Sequence, residues 1–317
     1  METKVYAARI KDKEELLASS SGGIFTAVSD LAISEGDAIV SAVYNYSSNR
    51  NEFTLYTSKA ERDKARGSKY MQAIPGDSYI TAEEWLKNNK GKVYFFGMGC
   101  QADGFRKFAK SRGLKDRVVI IDIICHGVPS PKIWNDYIGG KIEYVTFKDK
   151  TDGWKKPRAF IIRNGEKEEI SEYDRIFYGD WALRPSCYKC RYATTERKVD
   201  ITIGDYWGID RIMPDFYSPD GNSLVLIHSD KGMELWKKIQ SKLEYKESDL
   251  VECIQPNLAH PTNEPLNRVE FWSDYKKGGI DRILKKYASE KMKTKIVKKL
   301  KRVVKTIKNR WVTFKVM

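Results

Sequence analysis

The chain has no apolar run approaching membrane-spanning length, and its amino-terminal METKVYAARIKDKEE places charges where a secretory signal needs an apolar core. A cytoplasmic protein is therefore expected. No internal repeat or low-complexity segment is present. No HExxH helix, paired carboxylates or Ser/His/Asp set stands out, so nothing supports a hydrolase or a transferase of that chemistry. The glycines of Gly97-Met-Gly99-Cys100-Gln101 lack the full G-x-G-x-x-G spacing, with Gly104 one position late, and they form no Walker loop. Cysteine is limited to five residues. In a reducing compartment these suit metal binding, redox chemistry or burial better than a disulfide framework.

Acidic residues are scarce in one place. Residues 285–317 hold thirteen Lys or Arg against a single acid, Glu290, while the whole chain carries a net charge of +14. The body is thus nearly neutral, and no nucleic-acid partner is expected for it. In the tail, Met292, Ile296, Val297, Leu300, Val303, Val304, Ile307 and Trp311 share one face at helical spacing, with cations on the other. This pattern predicts a basic amphipathic helix over 289–317 that lies on an anionic membrane surface. A partner-protein helix is the alternative.

What is present points to an α/β protein with a mainly parallel sheet core, grading into α+β in its carboxyl-terminal part. Residues 1–141 are expected to form an α/β part. Residues 142–288 read as strand-rich, with a C-x-x-C and closing helices. The runs VYFFGMGC and VVIIDIIC each read as a buried parallel strand ending in a cysteine, Cys100 or Cys125. Parallel strands open their carboxyl ends on one sheet edge, where α/β proteins place ligands. Cys187 and Cys190 in RPSCYKCRY can share one metal centre, and the four cysteines are expected to meet. Cys253 has no cysteine near it in sequence and reads as buried.

Ser19 to Gly23 precede a helix beginning near Ile24. Serines can cap it, and Gly22 and Gly23 can turn backbone N–H groups toward an anion. A capped helix that binds nothing is the plain alternative. ARGSKYMQ gathers Arg66, Gly67, Ser68, Lys69 and Tyr70 in a small loop suited to a pyrophosphate or carboxylate, or to a solvated turn. His126, next to Cys125, is a candidate to donate a hydrogen bond or proton to a ligand, although a lone histidine is more often structural. Asp200, Asp205 and Trp207 are placed near the same cleft.

In order, SSSGGIFTA, RGSKYMQ, GMGCQADG, IDIICHGVPSP, RPSCYKC and ITIGDYWG resemble the coenzyme F420 hydrogenase/dehydrogenase beta subunit family, from about Val5 to Tyr287. The resemblance implies a fold holding FAD beside a 4Fe-4S cluster that moves electrons or hydride between a carrier and a partner. Cys100, Cys125, Cys187 and Cys190 would ligate the cluster. Ser20, Ser21, Gly22, Gly23, Arg66, Gly67, Ser68, Lys69, Tyr70 and Gln101 would lie around the flavin, with His126 as the catalytic candidate. Two departures are visible. The family's ferredoxin-like segment is missing at the start, so electrons are expected from a separate ferredoxin-like protein or a soluble reduced carrier. G-M-G-C-Q also stands where the family commonly has G-T-P-C-Q. Short forms of this kind resemble proteins of bacterial polysaccharide biosynthesis, which implies work at the inner membrane face. The alternative is a zinc- or cluster-stabilised assembly protein of such a pathway.

Overall fold

The computed structural model describes residues 1–289. The first half runs β1 (Lys4–Ile10), α1 (Lys13–Ala18), α2 (Ile24–Ser34), β2 (Ala38–Asn45), β3 (Arg50–Tyr56), α3 (Lys59–Ala65), β4 (Ala73–Ile74), α4 (Ser78–Asn88), β5 (Val93–Met98), α5 (Gly99–Ser111) and β6 (Val118–Ile123). The second half continues with α6 (Pro131–Ile138), β7 (Tyr144–Asp149), β8 (Arg158–Arg163), β9 (Glu166–Glu169), α7 (Ser171–Tyr178), β10 (Ile201–Asp205), α8 (Ile209–Ile212), β11 (Ser223–Ile227), α9 (Asp230–Ile239), β12 (Leu243–Ser248), α10 (Pro256–Ala259) and α11 (Arg268–Ile283).

Nine strands form one sheet in the order β12-β1-β11-β10-β6-β5-β2-β3-β4. Its middle, β10-β6-β5-β2, is parallel, and the outer β12-β1-β11 strands join antiparallel. Both cysteine-bearing runs sit in that parallel centre. There β5 pairs with β6 in register from Val93↔Val118 to Met98↔Ile123, so the two strands end level with one another.

Helices cover both faces, which is why these strands are apolar without alternation. Tyr94, Phe96, Val119 and Ile121 face a core shared with α2 and α9. Val93, Phe95, Val118 and Ile120 face the α4–α5 side. Phe95, fully buried, stacks on Phe105 of α5 at 4.5 Å and on Phe53 of β3 at 5.2 Å. Burying one such ring contributes roughly 1.5–3 kcal/mol.

A separate antiparallel sheet, β7-β8-β9, packs with α6, α7 and α11 around a second core. Its tight turn uses Asn164 and Gly165, both at positive φ, as the Asn-Gly pair predicts. The boundary expected at residue 141 precedes this sheet, yet β10, β11 and β12 return to the large sheet, which therefore spans both halves. The amphipathic helix expected over 289–317 lies outside the described residues. Among the described residues no helix is long and apolar enough to cross a membrane.

Candidate functional site

Cys100 is the second residue of α5, directly after β5, and Cys125 follows the end of β6 by two residues. The loop after β6 is tied to its neighbours by backbone bonds. Ile124 N donates to Ile203 O (2.9 Å), Arg184 N to Val128 O (2.9 Å) and Ser130 N to Ala182 O (2.9 Å). The last two bonds carry the C-x-x-C up against that loop. Cys187 lies in a short 3-10 turn begun by Pro185, and Cys190 ends it.

Two glycines set how closely these segments approach. Gly127, at φ +142°, faces the turn: a Cβ there would stand 2.7 Å from Leu183 Cδ1 and 3.5 Å from Cys187 Cβ. At Gly99, a Cβ would stand 2.8 Å from Tyr192 Cβ. Tyr192 OH donates to Asp103 Oδ2 (2.8 Å), joining the start of α5 to the residues after Cys190. Beneath them Arg197 Nη1 meets Asp122 Oδ2 at 2.7 Å, with both side chains buried. The three segments that carry the four cysteines are thereby drawn to one edge of the sheet.

The thiols act on one another there. Burial pushes Cys125 up to about 12, and thiolates at Cys187 and Cys100 would push it further in the same direction. Cys100 is raised by desolvation and then by Cys190 and Cys187, although its side chain reaches solvent. Desolvation also raises Cys187. Thiols that resist ionising together become thiolates when a cation sits among them. Among the described residues no three His, Cys, Asp or Glu side chains stand close enough to hold a single ion. Ligands of a multi-iron centre bind different irons, so such a centre asks for wider spacing than one zinc does.

Next to this edge is a cavity of about 410 Å³, within the ~300–1,000 Å³ range of small-molecule sites. Its lining includes the loop Ser19–Ser21 with Gly23, Ile24 and Phe25 at the start of α2. Cys125 and His126 line the same cavity. Gly23 is the N-cap of α2 at φ +84°, and no serine side chain caps the helix. The serines are used elsewhere. Ser20 Oγ accepts from Ser68 N (2.7 Å), joining the two candidate loops, and Ser21 Oγ donates to Asn222 O (3.0 Å). The positive end of α2 is thus left facing the cavity, with its first N–H groups without a side-chain cap.

Three basic residues line the cavity in different states. Arg66 is ion-paired to Glu15 and to Asp63 (3.0 Å). Lys148 is ion-paired to Asp205. Lys69 gives its protons to the carbonyls of Ala65 (2.8 Å), Arg66 (3.2 Å) and Gly67 (3.0 Å) at the end of α3, and among the described residues no carboxylate balances it. Desolvation lowers its pKa to about 7. A buried acceptor is also unfilled: Asn51, 1% exposed and lining the cavity, donates from Nδ2 to Met71 O (3.4 Å), while its Oδ1 has no partner.

Residues 5–81 match the family described as coenzyme F420 hydrogenase/dehydrogenase, beta subunit N-term, and residues 90–252 match the C terminus of the same beta subunit. The chain belongs to the coenzyme F420 hydrogenase/dehydrogenase beta subunit family. It is accordingly an oxidoreductase-type electron-transfer protein. A chain of the F420-reducing [NiFe] hydrogenase complex from Methanosarcina barkeri, solved in a xenon-derivatised form, shares its fold. That likeness has a TM-score of 0.53 and 22% identity, covering 89% of this chain and 90% of that one. Among curated proteins none matches this sequence.

Within this F420 hydrogenase beta-subunit fold, Ser20, Ser21, Gly23, Arg66, Gly67, Ser68, Lys69, Tyr70 and Gln101 all line the cavity. Gly22 does not. A Cβ at Gly22 would overlap Ala8 O and stand 2.6 Å from Ser223 N, so its lack of a side chain serves the contact of this loop with β1 and β11. Tyr70 is stacked on Phe177 at 4.5 Å and held neutral by burial. Gln101 Oε1 accepts from Met98 N (2.9 Å), tying the start of α5 to the end of β5. His126 is fixed by Asp180, with Nε2 at 2.5 Å from Oδ1, and Asp180 itself sits at φ +65°.

Asp205 and Trp207 reach the cavity as expected, but Asp200 does not: it accepts from Ile120 N (2.8 Å) and Ser229 Oγ (2.6 Å) behind the sheet. Trp154 is fully buried and stacks beneath the exposed Trp207 at 5.0 Å. Cys253 is buried, as its isolation in the sequence suggested. Sequence reasoning missed Asn51, Lys148, Phe177 and Gln255. Each is a single residue in an ordinary strand, helix or turn, and only topology brings it to the cavity.

Proposed function

We propose that this chain is a FAD- and 4Fe-4S-dependent oxidoreductase that passes electrons or hydride between a carrier and a substrate. The observation that carries the reading is the shared wall: one cavity is lined both by an uncapped helix N-terminus and by Cys125 and His126, and the other three cysteines lie close enough to act on Cys125. Cys100, Cys125, Cys187 and Cys190 would hold the cluster. Ser20, Ser21, Gly23, Gly67 and Ser68 would receive the FAD phosphates. The cavity's chemistry fits such a guest, with an unbalanced cation and a helix end for anionic oxygens, aromatic walls for a flat ring, and the unfilled Asn51 Oδ1 for a ring N–H.

When bound, the flavin supplies hydride chemistry and the iron–sulfur centre supplies one-electron exchange. The protein's own tasks are more limited. The α2 N-terminus and Lys69 draw and orient anionic groups. Phe25, Phe96 and Phe177 keep water from the inner wall. Asp180 holds the Nε2 edge of His126, leaving Nδ1 to hold or give a proton at the cavity. The exposed Trp207, backed by Trp154, offers a flat platform for a second ligand.

A partner protein or a soluble carrier would exchange electrons with it. The charge of residues 289–317 would suit a substrate of polysaccharide biosynthesis, with the protein held at the cytoplasmic membrane face. Anaerobic purification with iron, acid-labile sulfide and flavin analysis tests the cofactor reading. About four irons and one FAD per chain are expected. A protein that stays colourless and iron-free after reconstitution overturns it, and a single bound zinc would favour the assembly-protein alternative.

A further inference from the structure

The parallel centre of the sheet has a second edge, where β6 and β10 begin, away from the strand ends that carry the cysteines. A hollow of about 410 Å³ opens there, within the ~300–1,000 Å³ range of small-molecule sites. The buried Val118 and Ile120 of β6 and Val199 before β10 form its apolar part. Around them α5 contributes Arg106 and Lys110, and the turn into α9 contributes His228, Ser229 and Lys231.

Most polar groups of this hollow are already satisfied by the protein. Asp200 accepts from Ile120 N (2.8 Å) and Ser229 Oγ (2.6 Å), and Lys231 Nζ donates to Lys115 O (3.0 Å) and Val118 O (2.8 Å). Arg106 is paired with Asp103 (2.6 Å) and Arg197 with the buried Asp122 (2.7 Å). His228 is held between Thr202 Oγ1 (2.9 Å) and Thr3 Oγ1 (3.2 Å). Burial, helped by the Arg197 charge, lowers its pKa to about 4, so it adds no charge at neutral pH.

Three cations are left over. Lys110 on α5, Lys115 in the turn before β6 and Lys198 before β10 are exposed, and among the described residues none has a carboxylate at ion-pair distance. Asp116 is the one lining acid that the protein does not engage, and Glu196 and Asp230, next to lining residues in sequence, do not line the hollow. With Lys231 set against Asp200 and the paired arginines cancelled, the hollow holds a surplus of two positive charges. Like charges gathered in a concavity repel one another, and apolar walls strengthen their field, so an anion that enters is stabilised. Ammonium groups on long stems act as point charges and suit a phosphate. Among the described residues no Phe, Tyr or Trp lines the hollow, so a nucleobase would find nothing to stack on.

We propose that this hollow binds the phosphate dianion of a small non-aromatic molecule, at a site separate from the cofactor cavity. The surplus charge matches such a group, which carries about −1.5 to −2 at pH 7. The binding does not rest on the redox reading above.

The test is calorimetric titration of the full chain with two probes, inorganic phosphate and glucose 1-phosphate, at low and at physiological salt. K69M serves as a second background, so that any binding in the cofactor cavity is counted apart. Saturable binding is expected at both salt levels and in both backgrounds. K110E/K198E should bind at least ~tenfold more weakly. D116N should bind several-fold more tightly, a gain that a folding defect cannot produce. Tighter binding of glucose 1-phosphate would identify an ester as the source and tighter binding of inorganic phosphate the free ion; either order supports the site. No saturable binding by the parent, binding that vanishes at physiological salt, or equal binding by parent and K110E/K198E each overturns it. Binding lost in K69M but kept in K110E/K198E places the anion in the cofactor cavity and overturns it as well.

Discussion

The two halves of the site are built on opposite electrostatic plans. In the cavity the cations are matched or held inward: Arg66 and Lys148 by carboxylates, Lys69 by carbonyls. Around the C-x-x-C, Arg184, Lys189 and Arg191 are left to solvent. The first arrangement suits a ligand that enters once and stays, because desolvated charges bind strongly but exchange slowly. The second suits contacts that form and break in water, where exposed charge contributes mainly to the rate of encounter. One edge of one sheet thus sets matched, inward-held charge beside charge left to solvent.

The comparison breaks most completely at the thiols. Cys187→Ser removes a soft ligand on the turn that Arg184 N and Gly127 hold in place, and iron content is expected to fall from about four per chain to near zero. Flavin content should fall much less, because Cys187 does not line the cavity. Equal loss of both would mean that the halves are not separable. The next largest effect lies under the anion loop. Gly22→Val forces a side chain into Ala8 O and Ser223 N, and overpacking of this kind costs about 3 kcal/mol. A denaturant midpoint within error of the parent would show that the loop is free to move off β1.

The parallel centre of the sheet was legible because β5 and β6 are covered on both faces and read as unbroken apolar runs. Their common ending then gave the proximity of Cys100 and Cys125. The Asn164-Gly165 turn was equally plain, since few residue pairs accept two positive φ values. The C-x-x-C was visible as a turn, but its seat against Cys125 depends on a β-bridge between Pro129 and Leu183, and no local pattern announces that bridge. The return of β10–β12 to the first sheet was hidden for the same reason: strand order is set by tertiary packing. Serine capping of α2 failed because Ser20 and Ser21 found partners in other segments, at Ser68 and Asn222, while Gly23 took the cap position.

Within the cavity the expected effects are smaller and carry a sign. Lys69 titrates near 7 when the cavity holds no anion, and a bound phosphate would raise that value. Below about pH 7 the lysine is charged with or without ligand, so affinity is flat. Above it, binding must take up a proton, and FAD affinity is expected to weaken by up to tenfold per pH unit until the raised pKa is passed. Lys69→Met should lower affinity about tenfold at pH 6.5 and abolish the slope, both read by equilibrium dialysis. An unchanged slope would place the titrating group elsewhere.

The subtlest change separates an empty acceptor from a used one. Asn51 Oδ1 is buried and unpartnered, so replacing the amide with an apolar group of similar size relieves a desolvation cost when nothing is bound. Asn51→Leu is therefore expected to raise the stability of the flavin-free protein by about 1 kcal/mol while weakening FAD binding several-fold. Opposite signs in the two measurements would mean that the ligand, and not the fold, is the partner this oxygen waits for. If stability fell together with affinity, Asn51 would instead be a strut of β3, held through Met71 O.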